Sequence, residues 1–330
     1  MPVTLKDVAQ KAGVSRSTVS RALNNTGRMT EETRNHIKTI AAEMGYVPNF
    51  LAQSLHETRT RTIGVVITSI SNPFISELVE GIEEVADNSG YTIILGASKF
   101  DPEKEIKTIL KFYQRRVDGI IVQAAHLTNF DDRRLESIDI PIVLINDEIN
   151  IGTYNNVSTD SRVEVKKAVN YLFSIGHRHI GYIGSSLRMH SNRNRRMGYE
   201  DAHEENGQPI NESHIFSLPM MSDYETGRKI LDRVLDTNVT AVFCYCDMIA
   251  IGLMNACRER GVSVPDNLSV VGFDNIDQAS QFYPPLTTVH QPKFELGRRA
   301  MRLIQHYPSE VVNEMLDCQL IVRESTRPLT

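Results

Sequence analysis

A chain of 330 residues is longer than one compact core of ordinary size and is expected to divide into two or three domains. Its composition, 41% hydrophobic and 23% charged, is that of an ordinary soluble globular chain, and no apolar run reaches the roughly 18 residues that a membrane helix requires. Residues 1–7 carry no signal-peptide core, so a cytoplasmic protein without membrane contact is expected. The charge is unevenly placed. Residues 1–62 hold nine Lys or Arg against five acids, a net +4, which leaves −9 for the rest of a chain whose total is −5. A basic head on an acidic body suggests that only the head meets a polyanion. The four cysteines, Cys244, Cys246, Cys257 and Cys318, read as reduced, mostly buried thiols, and their spacing offers no zinc-like ligand set.

The first sixty residues read as three short helices. Thr4 can cap the first, with Asp7 three residues on and Leu5, Val8, Ala9 and Ala12 on one face, and Gly13 stops it. Ser15 caps the second, whose apolar positions are Val19, Ala22 and Leu23. Thr30 caps the third, with Ile37, Ile40, Ala41 and Met44 inward and Gly45 as its stop. Two short helices joined by a tight Gly-containing turn, with a third behind them, make a helix-turn-helix unit. The outer face of the second helix offers Arg16, Ser17, Thr18, Ser20, Arg21, Asn24 and Asn25, and no acid occurs between Asp7 and Glu31. Long donors reach base edges and short hydroxyls reach phosphates, so this face suits a DNA major groove.

The run from Thr4 through Asp7, Gly13-Val14-Ser15, Thr18, Ser20 and Arg21 to Asn24 resembles the DNA-binding signature of the lactose-repressor/galactose-repressor family. The resemblance implies that Arg16 and Ser17 help to choose the operator and that Arg21 contacts DNA. Pro48 ends the third helix, and residues 49–55 have the length of two helical turns, marginal alone in water. This stretch resembles the family's hinge helix, which pairs across a dimer and inserts a Leu into the minor groove. Leu55 matches that Leu and Ala52 the small residue before it. An apolar wedge of this kind bends DNA. The implied DNA-contacting set is Thr4, Ser15, Arg16, Ser17, Thr18, Ser20, Arg21, Asn24, Asn49, Ala52 and Leu55. Residues 1–47 are then the DNA-binding domain and 48–61 the hinge and linker.

From residue 62 onward, apolar strand-like runs alternate with helical ones. Strands are expected at 62–68, 91–97, 119–123, 141–146, 180–184, 241–246 and 268–274, and helices at 74–88 and 102–115. Such alternation implies parallel sheets covered by helices. Similar strand, helix and terminal-Gly units in both halves suggest two like lobes with a cleft at the carboxyl ends of the strands. The family resemblance extends through Ser71-Asn72-Pro73-Phe74, Val117-Asp118-Gly119, Val270-Val271-Gly272-Phe273-Asp274, Pro285-Leu286-Thr287-Thr288-Val289 and Arg323-Glu324-Ser325-Thr326. It implies a core like that of periplasmic binding proteins, behind an all-α head. The N-lobe would take about 62–160 and 290–320, the C-lobe about 161–289 and 321–330, with crossovers near 159–162, 288–291 and 318–322.

The resemblance also implies a small-molecule effector in the cleft. A polyhydroxylated ligand needs paired donors and acceptors and a flat apolar face. Arg195 matches the family's effector-binding Arg, whose planar fork suits neighbouring hydroxyls. Asp274 would be an acceptor and Phe74 a stacking surface, with Asn72, Asp147, Ser191 and Asp247 as further contacts. His177 and His179 read as surface or supporting residues. No dinucleotide-binding glycine motif, Walker loop or nucleophile elbow is present, so neither an enzyme, a cofactor nor a metal is expected. The expectation is a homodimeric transcriptional repressor that binds pseudo-palindromic operator DNA and responds to a sugar or sugar derivative.

Overall fold

The computed structural model describes residues 3–46, 59–123, 134–135, 137–146, 154–186, 189–218 and 221–329, of which 189 and 190 are described in backbone only. The chain forms two units, Met1–Thr60 and Arg61–Thr330. In the first, local chemistry sets the boundaries of α1 (Leu5–Ala12), α2 (Arg16–Leu23) and α3 (Glu31–Glu43). Thr4 and Asp7 form a reciprocal cap, the Thr4 hydroxyl accepting from the Asp7 N–H at 3.4 Å and the Asp7 carboxylate accepting from the Thr4 N–H at 2.9 Å. Gly13 ends α1 in the left-handed region at φ +65°, where a Cβ is unfavourable. Ser15 and Thr30 cap α2 and α3 through the N–H groups of Thr18 and Thr33. Val8, Ala9, Val19, Ala22, Ile37, Ile40 and Ala41 close the small core.

The second unit holds two six-stranded sheets. The N-lobe sheet has the order β11-β5-β4-β3-β1-β2, all parallel, from β1 (Thr62–Ile67), β2 (Thr92–Ala97), β3 (Gly119–Gln123), β4 (Ile142–Ile145), β5 (Asn155–Ser158) and β11 (Asn313–Met315). The C-lobe sheet has the order β12-β10-β9-β8-β6-β7, from β6 (Ile180–Ile183), β7 (Ile215–Phe216), β8 (Ala241–Cys244), β9 (Ser269–Asp274), β10 (Thr287–His290) and β12 (Gln319–Ile321). Its strands are parallel except for the antiparallel β10–β12 pair.

Alternation along each strand buries both faces. In the N-lobe, Ile63, Val65 and Ile67 meet α4 (Pro73–Asn88) and α11 (Lys293–Gln305), while Val66, Ile120 and Val122 meet α5 (Pro102–Gln114). In the C-lobe, Ala241, Phe243 and Phe273 face α6 (Ser161–Ser174) and α7 (Met189–Glu205). Val242, Cys244 and Val270 face α8 (Asp223–Leu235) and α9 (Asp247–Glu259). A short α10 (Asp277–Gln281) follows β9. The chain passes between sheets at 159–160, 291–292 and 316–318, so β10 lies in the C-lobe sheet while the next helix, α11, packs back on the N-lobe.

At two helix crossings, glycines on both helices leave no room for a side chain. A Cβ on Gly81 of α4 would stand 2.0 Å from the Phe294 carbonyl oxygen, and one on Gly297 of α11 would stand 2.1 Å from that of Leu78. In the C-lobe, a Cβ on Gly227 of α8 or on Gly252 of α9 would stand 2.0 and 2.2 Å from the Ile249 and Tyr224 carbonyl oxygens, in the same reciprocal way. Backbone cannot yield as a flexible side chain can. Gly297→Val should therefore lower the stability of the core by about 3 kcal/mol, the upper end of the overpacking range. Urea unfolding of parent and variant measures this, and a cost below about 0.5 kcal/mol would mean that the helices separate freely.

Candidate DNA interface and effector cleft

On α2 the side opposite the core residues Val19 and Ala22 presents Arg16, Ser17 and Arg21, all exposed, with Thr18, Ser20 and Asn24 half-buried beside them. Ser15 starts the helix, and its hydroxyl lies 2.7 and 2.8 Å from those of Ser17 and Thr18. Thr4 stands likewise at the N-terminus of α1, its hydroxyl donating to Asp7 at 2.7 Å. Helix N-termini of this kind favour anions such as phosphates. Two residues that sequence reasoning did not single out brace the loop after α2. Arg34 on α3 donates to the carbonyls of Arg21 and Gly27, each at 3.5 Å, and Lys38 donates to the Asn25 side chain at 2.7 Å. Their spacing on α3 was visible, but nothing local showed which loop they would meet. Asn49, Ala52 and Leu55 lie outside the described residues.

In the second unit, hydrogen bonds join the carboxyl ends of strands from both lobes. Gln291, just past β10, donates to Asp274 at the end of β9 at 2.7 Å. Its amide oxygen accepts from Thr159, past β5, at 3.0 Å and from Asn146, past β4, at 3.2 Å. The edges at which open α/β sheets bind ligands are thus turned toward each other.

Arg195, on α7, reaches into this region and is only 5% exposed. It donates to the Tyr245 carbonyl, and its guanidinium lies 3.8 Å from the Phe273 ring centroid and 4.2 Å from that of Tyr245. Among the described residues its guanidinium pairs with the carboxylate of Asp274, at 3.8 Å. Ser191, one turn earlier on α7, has its hydroxyl 2.6 Å from that of Tyr245. The structure therefore gathers Arg195, Asp274 and Ser191, read from the sequence, around Tyr245, Phe273 and Gln291. The two aromatic neighbours were not foreseen as Arg195 partners, because Tyr245, just past β8, and Phe273, on β9, stand far along the chain. Phe74 is 4% exposed and belongs to the apolar cluster of the N-lobe. Asn72 caps α4 through the Phe74 N–H at 3.2 Å. Asp147 lies outside the described residues.

Three buried polar atoms near these strand ends have no hydrogen-bond partner among the described residues: Arg195 Nε, Asn72 Nδ2 and Ser186 Oγ. Buried donors of this kind are costly unless something pairs with them.

Asp247, completely buried at the start of α9, supports the site from behind. It accepts from the Ile276 N–H at 2.9 Å and the Thr288 hydroxyl at 2.5 Å. Burial, and then the nearby negative charge of Asp274, push its carboxyl up to about 8. A folded-state value above the unfolded 3.8 means that the stabilisation is complete below that unfolded value and is lost as pH rises toward 8. The stability difference between Asp247→Asn and the parent should therefore move in the variant's favour between pH 5 and pH 9, by more than about 1.4 kcal/mol, the equivalent of one pKa unit. Thermal unfolding of both proteins across this range tests it, and a flat difference rejects a neutral Asp247.

The histidines near α7 hold structure together. His177 accepts from Thr240 at 2.8 Å and donates to the Arg327 carbonyl at 3.2 Å, while His203 donates to the Tyr199 carbonyl at 3.0 Å. Burial lowers the pKa of both.

A helix-turn-helix head and a two-lobed α/β core with polar strand ends facing each other define a class: DNA-binding regulators built on a periplasmic-binding-protein-like body. Comparison with known proteins agrees. Residues 4–49 match the model of bacterial regulatory proteins, lacI family, and residues 169–326 match the periplasmic binding protein-like domain. The HTH-type transcriptional regulator DegA of Bacillus subtilis (strain 168) is 38% identical over 337 residues, covering 100% of this chain and 99% of DegA. The lac repressor dimer bound to operator and the anti-inducer ONPF is 28% identical with a TM-score of 0.85, over 99% of this chain and 100% of that one. The transcriptional regulator CelR in complex with cellobiose is 28% identical with a TM-score of 0.71, over 98% and 99% of the two chains. The chain belongs to the lacI family of bacterial transcriptional regulators, which are DNA-binding proteins and not enzymes. Among the described residues no helix is long and apolar enough to cross a membrane.

Proposed function

We propose that this protein is a homodimeric repressor whose affinity for a pseudo-palindromic operator is set by a sugar or sugar derivative held between the two lobes. The observation that carries the effector reading is the buried Arg195–Asp274 pair, whose guanidinium lies against the rings of Tyr245 and Phe273 and keeps its Nε without a partner among the described residues. A guanidinium fork, a carboxylate acceptor and flat apolar walls are what a polyhydroxylated ring requires. The pair carries no net charge, which favours a neutral sugar over a sugar phosphate. The bound cellobiose of the CelR structure lends support to a saccharide in this fold. On the DNA side, the exposed Arg16, Ser17 and Arg21 of α2 supply the base and phosphate donors. Paired heads would read half-sites roughly 34–36 Å apart. Asn49, Ala52 and Leu55 are assigned to the hinge and Leu55 to the minor groove.

The test has two parts. Thermal unfolding of the full chain against a panel of neutral mono- and disaccharides, sugar phosphates and nucleosides should single out a neutral sugar. Ligand at about 100 times its Kd stabilises by about 2.7 kcal/mol. Operator sequences selected by the protein from a random DNA pool should then be titrated with and without that sugar. A chain that binds selected DNA but gains stability from no sugar would refute effector control by a sugar and favour a co-regulator.

A further inference from the structure

Lys293 opens α11 in the N-lobe and is 1% exposed. Its ammonium donates to the carbonyls of Asp274 and Asn275, each at 2.9 Å, and pairs with Glu77 on α4 at 3.0 Å. An ammonium is retained in a protein interior only when its protons are satisfied. Here two of the three partners are backbone carbonyls of the other lobe. They belong to consecutive residues with positive φ, +116° at Asp274 and +52° at Asn275. Side-chain-bearing residues keep such backbone only when their surroundings hold it there.

The same turn is held from two further positions, the crossover just before Lys293 and the segment after β12. Gln291 donates to the Asp274 carboxylate at 2.7 Å, and Arg323 donates to the Asn275 side-chain oxygen at 2.7 Å. With that oxygen toward Arg323, the Asn275 amide nitrogen faces His290 Nδ1 at 3.1 Å. Lys293 differs from these in being anchored on an N-lobe helix through Glu77.

We propose that Lys293 is a positioning residue for the effector site: tied to the N-lobe by Glu77, it holds the Asp274–Asn275 turn of the C-lobe and makes the placement of the Asp274 carboxylate depend on lobe orientation. The consequence for regulation rests on the effector reading above. A ligand that bonds Asp274 better in one lobe arrangement shifts the protein toward that arrangement, and Lys293 is the contact through which the turn and α11 move together.

The rival role is plain charge balance, in which Lys293 only neutralises Glu77. Amide hydrogen exchange on the full chain, without DNA or sugar, separates the two. The Asn275 and Ile276 amides donate to Thr288 Oγ1 at 3.4 Å and Asp247 Oδ2 at 2.9 Å and so report on the turn. Lys293→Met should speed their exchange by about tenfold or more while β6 and β8 stay within about twofold of the parent. The double variant Glu77→Gln/Lys293→Met should stay as fast as the single one, because the carbonyls remain unheld. Lys293→Arg, which keeps a long cationic donor, should return the rates toward the parent. Parent-like exchange in Lys293→Met, or full recovery in the double variant, overturns the proposal. If Lys293→Met also loses protection throughout β6 and β8, the double variant, which leaves no unpaired Glu77 carboxylate, is read against the parent by the same criterion. Since no sugar enters the measurement, its failure is distinct from failure of the effector reading, which the stability panel decides.

Discussion

Arg195→Ala is expected to abolish the effector response. The guanidinium is buried between two aromatic rings, donates to the Tyr245 carbonyl and faces Asp274 at 3.8 Å. Alanine removes the donor fork and leaves the Asp274 carboxylate without its nearby cation. The fold should persist at a cost of about 1–3 kcal/mol, because Gln291 and Lys293 still hold the Asp274 turn. If the sugar acts as an inducer, the variant should bind its selected operator as the sugar-free parent does, but addition of sugar should no longer change the midpoint. In the parent the change should be about 5–150-fold, the usual range for allosteric coupling. If the sugar acts as a co-repressor, the variant should instead lose the tight-binding state. Operator titrations with and without sugar, on both proteins, decide the matter. An Arg195→Ala protein that still shifts like the parent removes Arg195 from the site and with it the effector reading.

The second large effect is expected at α2. Arg21 is exposed on the outer face of the helix and its side chain lies against Gly27, where a Cβ would come within 2.9 Å of Arg21 Cδ. If Arg21 contacts a base, Arg21→Ala should cost about 1–3 kcal/mol in operator affinity and relax discrimination at the base pair it reads. Loss of a phosphate contact would instead weaken all sequences alike and reduce the salt slope by about one. Binding of parent and variant to the selected operator and to single-base changes of it, at several salt concentrations, separates these outcomes. Equal affinity of the two proteins at the selected site would exclude Arg21 from recognition. A parent affinity that does not fall with salt would exclude phosphate contacts through this head.

The helical head was legible because its signals are short-range. A Thr or Ser hydroxyl that caps the N–H three residues on, and a Gly free to take positive φ, act within one turn of chain. The observed α1, α2 and α3 start directly after Thr4, Ser15 and Thr30 as those signals require. The early strands of each lobe were legible for a related reason. A parallel strand buried on both faces must be apolar at every position, and 62–67, 119–123 and 241–244 are nearly so. Arg195 and Asp274 became candidates through the family resemblance of the runs around them, not through any local physical rule.

What the tertiary structure alone decided involves partners distant in the chain. β11 and β12 are three-residue strands, Asn313–Met315 and Gln319–Ile321, largely polar or exposed, and only the neighbouring strands β5 and β10 make them strands. Nothing local to Gly81 and Gly297 shows that α4 and α11 cross there and leave no room for a Cβ. Lys293 has no local signal that marks it for burial, yet it is buried with Glu77 and the Asp274 and Asn275 carbonyls as its partners. Asp247 was read as a further effector contact, and only the structure shows that it is completely buried and that burial beside Asp274 holds its proton to about pH 8. In each case the deciding energy is desolvation or contact with groups tens to hundreds of residues away. The sequence by itself therefore determined the helical head and the parallel α/β class, through signals that act within a few residues. Which polar groups lose water and what they meet there was decided only by tertiary packing, within each lobe and between the two.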